Sequence, residues 1–109
     1  MATYEDFQRL DIRVGKVVAA EPFPEARVPA YKLTIDFGPL GVKRSSAQIT
    51  RLYRPEELTG KLVVAVVNFP PKRIAGFVSE VLVLGAILDG GKVSLLSPDH
   101  DVPPGSRVL

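Results

Sequence analysis

The chain has 109 residues, with 14 Lys and Arg against 12 Asp and Glu, one His and no Cys or Trp, which is enough for one domain and too little for a multidomain enzyme. Without cysteine there is no thiolate nucleophile, disulfide framework or Cys-ligated metal centre, and one histidine cannot build a multi-His metal site. Net charge is only +2, but residues 26–79 carry nine bases against three acids while both flanks are acidic, so the middle of the chain offers positive charge to an anionic partner.

The amino-terminal Thr3-Tyr4-Glu5-Asp6 combines an N-cap residue with first-turn acids and predicts a short helix over 4–9 with Tyr4 and Phe7 on one side. No basic n-region or apolar h-region of a signal peptide is seen there. The longest apolar run, Leu62–Val67, is far short of a bilayer span. A soluble, cytoplasmic protein with no membrane insertion is expected.

From Ile12 a long strand is predicted, with Ile12, Val14 and Val18 alternating with Arg13, Gly15 and Val17, and Gly15 suggesting a bulge or sharp coil. The proline-rich stretch Glu21–Pro29 reads as a loop. Tyr31, Leu33, Ile35 and Phe37 then alternate with Lys32, Thr34 and Asp36, a strand with one buried face. Gly38-Pro39-Leu40-Gly41 turns the chain into a third strand, Val42–Ile49. If Ala47 and Ile49 face inward on it, Arg44, Ser46 and Gln48 face out. Pro55-Glu56-Glu57-Leu58 ahead of Gly60 predicts a short helix. Lys61–Val67, apolar on both faces, predicts a central strand.

Asn68–Arg73 is expected as a loop stiffened by Pro70-Pro71, followed by extended chain over Ile74–Leu84 interrupted at Gly76. A last hairpin, Ala86-Ile87-Leu88 to Val93-Ser94-Leu95-Leu96, turns at Asp89-Gly90-Gly91. Three meander strands, a helix before the fourth and a return strand predict an all-β, five-stranded Greek-key barrel of the OB-fold type, with short helices and terminal extensions, in a single domain over 1–109. An SH3-like barrel is the main competitor, and the position of the helix favours the OB topology.

No residue pattern points to catalysis. His100 lies in a turn between Asp99 and Asp101, and Ser45, Ser46 and Ser79 lack a nucleophile-elbow glycine pattern. Two carboxylates are too few for a Ca²⁺ site. No metal, cofactor or enzymatic activity is expected. The more informative string is Asn68-Phe69-Pro70-Pro71-Lys72-Arg73, where an aromatic and two cations sit on a preorganised loop beside the outward residues Lys32, Thr34, Arg44, Ser46 and Gln48. Asn68, Phe69, Lys72, Arg73, Phe77, Ser79 and Glu80, with Lys32, Arg44, Ser46 and Gln48, are the candidate binding residues. A surplus of apolar side chains is expected to form a two-fold interface: Tyr4, Phe7 and Leu10 at one end, and Ile87, Leu88, Val93, Leu95, Leu96, Val108 and Leu109 at the other.

Asp11-Ile12-Arg13-Val14-Gly15-Lys16, Pro29-Ala30-Tyr31-Lys32-Leu33, Ser45-Ser46-Ala47-Gln48-Ile49-Thr50, Tyr53-Arg54-Pro55-Glu56-Glu57-Leu58-Thr59-Gly60, Asn68-Phe69-Pro70-Pro71-Lys72 and Ser79-Glu80-Val81-Leu82-Val83-Leu84-Gly85 occur in order along the chain. Together they resemble the CsaA family of small secretion-related bacterial chaperones, itself similar to the tRNA-binding domain appended to some aminoacyl-tRNA synthetases. The resemblance implies an OB-fold homodimer that binds unfolded or export-destined polypeptides without catalysing a reaction. It also implies contact with tRNA as an alternative use of the same basic face. The wider tRNA-binding domains usually carry a Ser-Gly-Ile type string in the third strand and a lysine-rich stretch after the fourth. Here those places hold Ser45-Ser46-Ala47-Gln48 and only Lys72-Arg73, which implies fewer phosphate contacts.

Overall fold

In the computed structural model, which describes residues 1–109, Thr3 caps the first helix, α1 (Tyr4–Gln8). The Asp6 amide donates to the Thr3 hydroxyl and the Thr3 amide donates to the Asp6 carboxylate, a reciprocal cap that satisfies two otherwise orphaned N–H groups. The strands β1 (Ile12–Pro22), β2 (Tyr31–Asp36) and β3 (Val42–Ala47) follow as an antiparallel meander. Helix α2 (Pro55–Leu58) then leads into β4 (Leu62–Val66). A tight hairpin of β5 (Lys72–Ile74) and β6 (Phe77–Ser79) precedes the two-residue β7 (Leu82–Val83), and a second hairpin, β8 (Gly85–Leu88) with β9 (Lys92–Leu95), completes the strands. The main sheet has the order β3-β2-β1-β4-β7.

β1 is long enough to serve two neighbours. Its first half pairs with β4 and its second with β2, the changeover falling at Lys16, which lies opposite both Leu62 and Asp36. That shared strand coils the sheet into the expected five-stranded, nearly closed barrel of the OB type. Its interior holds Val17, Leu33, Ile35, Phe37, Ala47, Ile49, Val63, Ala65 and Val81. Leu58 of α2 is also wholly buried in this core. At the other end of α2 the Glu57 carboxylate accepts from the Arg54 amide at 2.8 Å, which holds its pKa below the usual carboxylate range.

Three expectations are corrected. In β1 the residue that points into the barrel is Val17, in step with Gly15, while Val18 is exposed; the register with β2 shifts between Val17 and Ala19, so the bulge lies after Gly15 rather than at it. Gly15 is needed for close approach instead: a Cβ there would fall 2.5 Å from Ile35 and 2.6 Å from the Phe37 ring. β3 ends at Ala47, although Ile49 remains buried beyond it. Residues 74–84 do not form one interrupted strand. Ala75 (φ 46°) and Gly76 (φ 82°) both adopt left-handed backbone, the geometry of a two-residue hairpin turn, so the chain doubles back and the barrel's fifth strand is β7 alone.

The carboxyl-terminal segment runs beside the free edge of β1. The Val14 amide donates to Ser106 at 2.9 Å, the Val108 amide donates to Ile12 at 2.8 Å, and the Arg13 guanidinium donates to the Gly105 carbonyl at 3.0 Å. The expected interface residues fall into two groups. Tyr4, Phe7, Ile87, Leu88, Leu96 and Leu109 are exposed, whereas Val93 and Leu95 pack against the barrel core and Leu10 and Val108 are half-buried. Val93 and Leu95 are thus partly covered by their own chain.

Candidate ligand-binding face

Phe23, just after β1, and Phe77 on β6 meet edge to face with ring centroids 5.4 Å apart, and Ala30 completes a small second core beneath them. Two cations lie on this aromatic pair. The Lys32 ammonium sits 4.8 Å from the Phe23 centroid and 5.5 Å from Phe77, and the Arg44 guanidinium sits 4.6 Å from Phe77. Such contacts fix long side chains that would otherwise be mobile. The Arg44 Nη2 also donates to Glu21 Oε1 at 3.1 Å. Beside this cluster opens a cleft of about 620 Å³ lined by Glu25, Lys32, Arg44, Phe77, Val78 and Glu80, with the Ala75-Gly76 turn at its rim.

Phe77 is only 7% exposed and supports two cations while lining the cleft. Phe23, Glu21 and Glu25 were missed because they sit in or next to a stretch that reads as a proline-rich loop. The signal was present in the register, since Glu21 lies opposite Lys32.

Barrel closure uses the candidate residues of β6 and its continuation. The Glu80 amide donates to the Arg44 carbonyl at 2.8 Å, the Arg44 amide donates to Glu80 Oε1 at 3.0 Å, and the Ser46 amide donates to Ser79 Oγ at 3.0 Å. The buried Ser45 hydroxyl donates to the Val81 carbonyl at 3.0 Å. Side chains here do what strand backbone does elsewhere in the sheet. Ser79 and Glu80 are accordingly committed to the fold as well as to the face.

Below this seam lie two adjoining clefts. The smaller, about 160 Å³, is lined by Phe69, Pro70, Lys72, Ser79, Glu80, Val81 and Leu82. The larger, about 390 Å³, takes in Ser46, Gln48, Ile49, Lys72, Ile74, Ser79, Leu82, Val83 and Val93. Lys72, Ser79, Val81 and Leu82 belong to both, so the two adjoin as one depression lined by apolar side chains and a lysine. Phe69, 42% exposed, is its outer wall. Arg73 pairs with Val78 on the opposite side of the hairpin from Lys72 and lines none of these three clefts.

Asn68 is engaged within the fold. Its Oδ1 accepts from the Asp11 amide at 2.8 Å and its Nδ2 donates to the Arg9 carbonyl at 2.8 Å, tying the chain after β4 to the link between α1 and β1. Asn68→Ala is expected to lower stability by about 1–2 kcal/mol through loss of these two bonds, read from the midpoint of urea unfolding, with ligand affinity unchanged. His100 is exposed and its nearest acid is the equally exposed Asp99 at 3.6 Å, so it has no oriented nucleophile. No three His, Cys, Asp or Glu side chains converge as metal ligands.

Residues 12–107 match the family model described as "Putative tRNA binding domain". A crystal structure of the chaperone CsaA from Bacillus anthracis is 60% identical, superposes with a TM-score of 0.96, and is covered over 99% of its length by all of this chain. The chain belongs to the CsaA family. The CsaA chaperone of Picrophilus torridus is 55% identical with a TM-score of 0.94 and full coverage of both chains. The methionine–tRNA ligase of Methanosarcina acetivorans is 39% identical over 105 residues, which is 96% of this chain but 15% of the ligase. The likeness to the ligases is therefore to one module of a much longer protein. What this CsaA-family chain shares with them is a segment of the kind described as a putative tRNA binding domain.

Proposed function

We propose that the chain is a non-catalytic binding protein that holds unfolded or export-destined polypeptides as a homodimeric chaperone in the cytoplasm. The observation that carries this reading is the depression shared by Phe69, Lys72, Ser79 and Leu82, which sets an exposed aromatic and other apolar side chains beside a cation. That mixture suits a peptide, whose apolar side chains and carbonyl groups are both served, better than a bare polyanion. The names of the CsaA relatives support the same reading. No helix of the chain is long and apolar enough to cross a membrane.

A second reading, tRNA binding on the same side of the barrel, is favoured by the family match and by the cations Lys32, Arg44 and Lys72 around the clefts. One experiment tests both. Wild-type protein and Phe69→Ala are titrated with a library of extended peptides and with tRNA at two salt concentrations. Phe69→Ala is expected to weaken peptide binding by about 1–2 kcal/mol. Binding of tRNA is expected to be modest and to fall with log salt at a slope of about 0.7–0.9 per phosphate neutralised. Unchanged peptide affinity in a folded Phe69→Ala variant would remove the depression as the peptide site. Tight, salt-insensitive tRNA binding would make the second reading the primary one and assign it to stacking.

A further inference from the structure

We propose that Glu21 determines which ligand class the cation–aromatic face accepts, by withholding Arg44 from phosphodiesters. The proposal rests on the reading that this side of the barrel is the ligand surface. The segment 26–79 has a large basic surplus, yet that surplus does not reach the cleft as net charge. Lys32 and Arg44 line it together with Glu25 and Glu80, so the cleft is neutral before Glu21 is counted and negative once it is.

The three carboxylates are not equivalent. Glu80 has an oxygen occupied by the Arg44 amide, and Glu25 makes no ion pair. Glu21 alone engages a guanidinium: its Oε1 lies 3.1 Å from Arg44 Nη2, and its place on β1 is directly opposite Lys32 on β2. Its carboxylate thus engages Arg44, and its backbone position neighbours that of Lys32 across the strand pair. Arg44 has its ring-side face on Phe77 and gives Glu21 one Nη2 hydrogen, so one edge of the guanidinium is already taken by a carboxylate. The Arg44 and Glu21 side chains are 43% and 60% exposed, so the pair is screened and exchangeable rather than locked. A phosphodiester at that edge must displace Glu21, and one at any other edge of Arg44 lies beside the carboxylate. A peptide carbonyl or a neutral side chain suffers neither cost.

The test is a titration of an unmodified tRNA transcript, at low and moderate salt, against the wild type, Glu21→Gln, Glu5→Gln and the double variant Glu21→Gln/Arg44→Gln. Glu5→Gln makes the same charge change on α1, outside the cleft. Glutamine keeps the size of Glu21 and its ability to accept from Arg44, and both positions are solvent-facing, so the variants retain the fold. Glu21→Gln is expected to bind tRNA about three- to tenfold more tightly than Glu5→Gln, with the gain lost in the double variant and peptide affinity within about twofold of wild type. Equal tRNA affinity for Glu21→Gln and Glu5→Gln, with the wild type binding, would overturn the role of Glu21 and leave the face intact. A gain that survived in the double variant would overturn it too, since Arg44 would not be the released group. Failure of all four proteins to bind either tRNA or peptide would remove the face and the proposal with it.

Discussion

Phe37→Ala is expected to destabilise the barrel by about 3–5 kcal/mol, the upper part of the range for emptying an aromatic site. Phe37 has no exposed surface and lies just beyond β2, where its amide donates to the Gly41 carbonyl at 3.0 Å. Most core sites soften such a loss by letting neighbours move in. Here the neighbour on the adjoining strand β1 is Gly15, which has no side chain to offer, and the ring occupies the very space a Gly15 Cβ would need. The void therefore stays largely open. For a domain of this size the change corresponds to a fall in Tm of more than about 12 °C, and the midpoint of guanidinium unfolding at unchanged slope gives the same quantity independently. A loss below about 1 kcal/mol would mean that β1 collapses onto β2 when the ring is removed.

Ile87→Asp is expected to convert a homodimer into a folded monomer. The β8–β9 hairpin forms its own two-stranded sheet and carries Ile87 85% exposed, with Leu88 exposed beside it and Leu96 exposed just after β9. Because Ile87 adds so little to the core of the single chain, the substitution leaves that core alone. Leu95 is a poorer probe, since it packs on the barrel and its amide donates to the Tyr53 hydroxyl at 3.0 Å, so an acid there would disturb folding. Burying an isoleucine on each side of a two-fold contact stabilises the pair by about 3–6 kcal/mol, so the dimer dissociation constant should rise at least about 100-fold. Light scattering at micromolar concentration should give twice the 11.8 kDa chain mass for the wild type and one chain mass for the variant. A wild-type mass of one chain would reject the homodimer.

The strands with strict alternation were legible from the residues alone. β2 announces itself through Leu33 and Ile35, and α2 through Pro55, its first-turn acids and Gly60. Misreadings arose where tertiary geometry broke the local period. β1 changes partner midway, so the same strand presents Gly15 and Val17 to the barrel and, on its other face, Ile12 and Val14, which are also buried. Ala75 hid a turn because alanine rarely takes left-handed backbone, and only Gly76 hinted at it. At the candidate face, charge and aromaticity picked out residues that border the clefts but not the contacts those residues make within the fold. Nothing local to Asn68 reveals that its amide reaches Arg9 and Asp11, some sixty positions away, and nothing local to Phe77 reveals Phe23 underneath it.

The closure of the barrel by Ser79 and Glu80 side chains also constrains how this surface can diverge. A relative that changed either residue to suit a new ligand would unseal the join between β3 and the chain after β6, so those positions are poor places for adaptation. Lys32, Gln48, Phe69 and Lys72 carry no such hydrogen-bonding duty to the backbone and border the same clefts. Ligand preference within this architecture is therefore free to drift along the two flanks of the join while the join itself stays as it is.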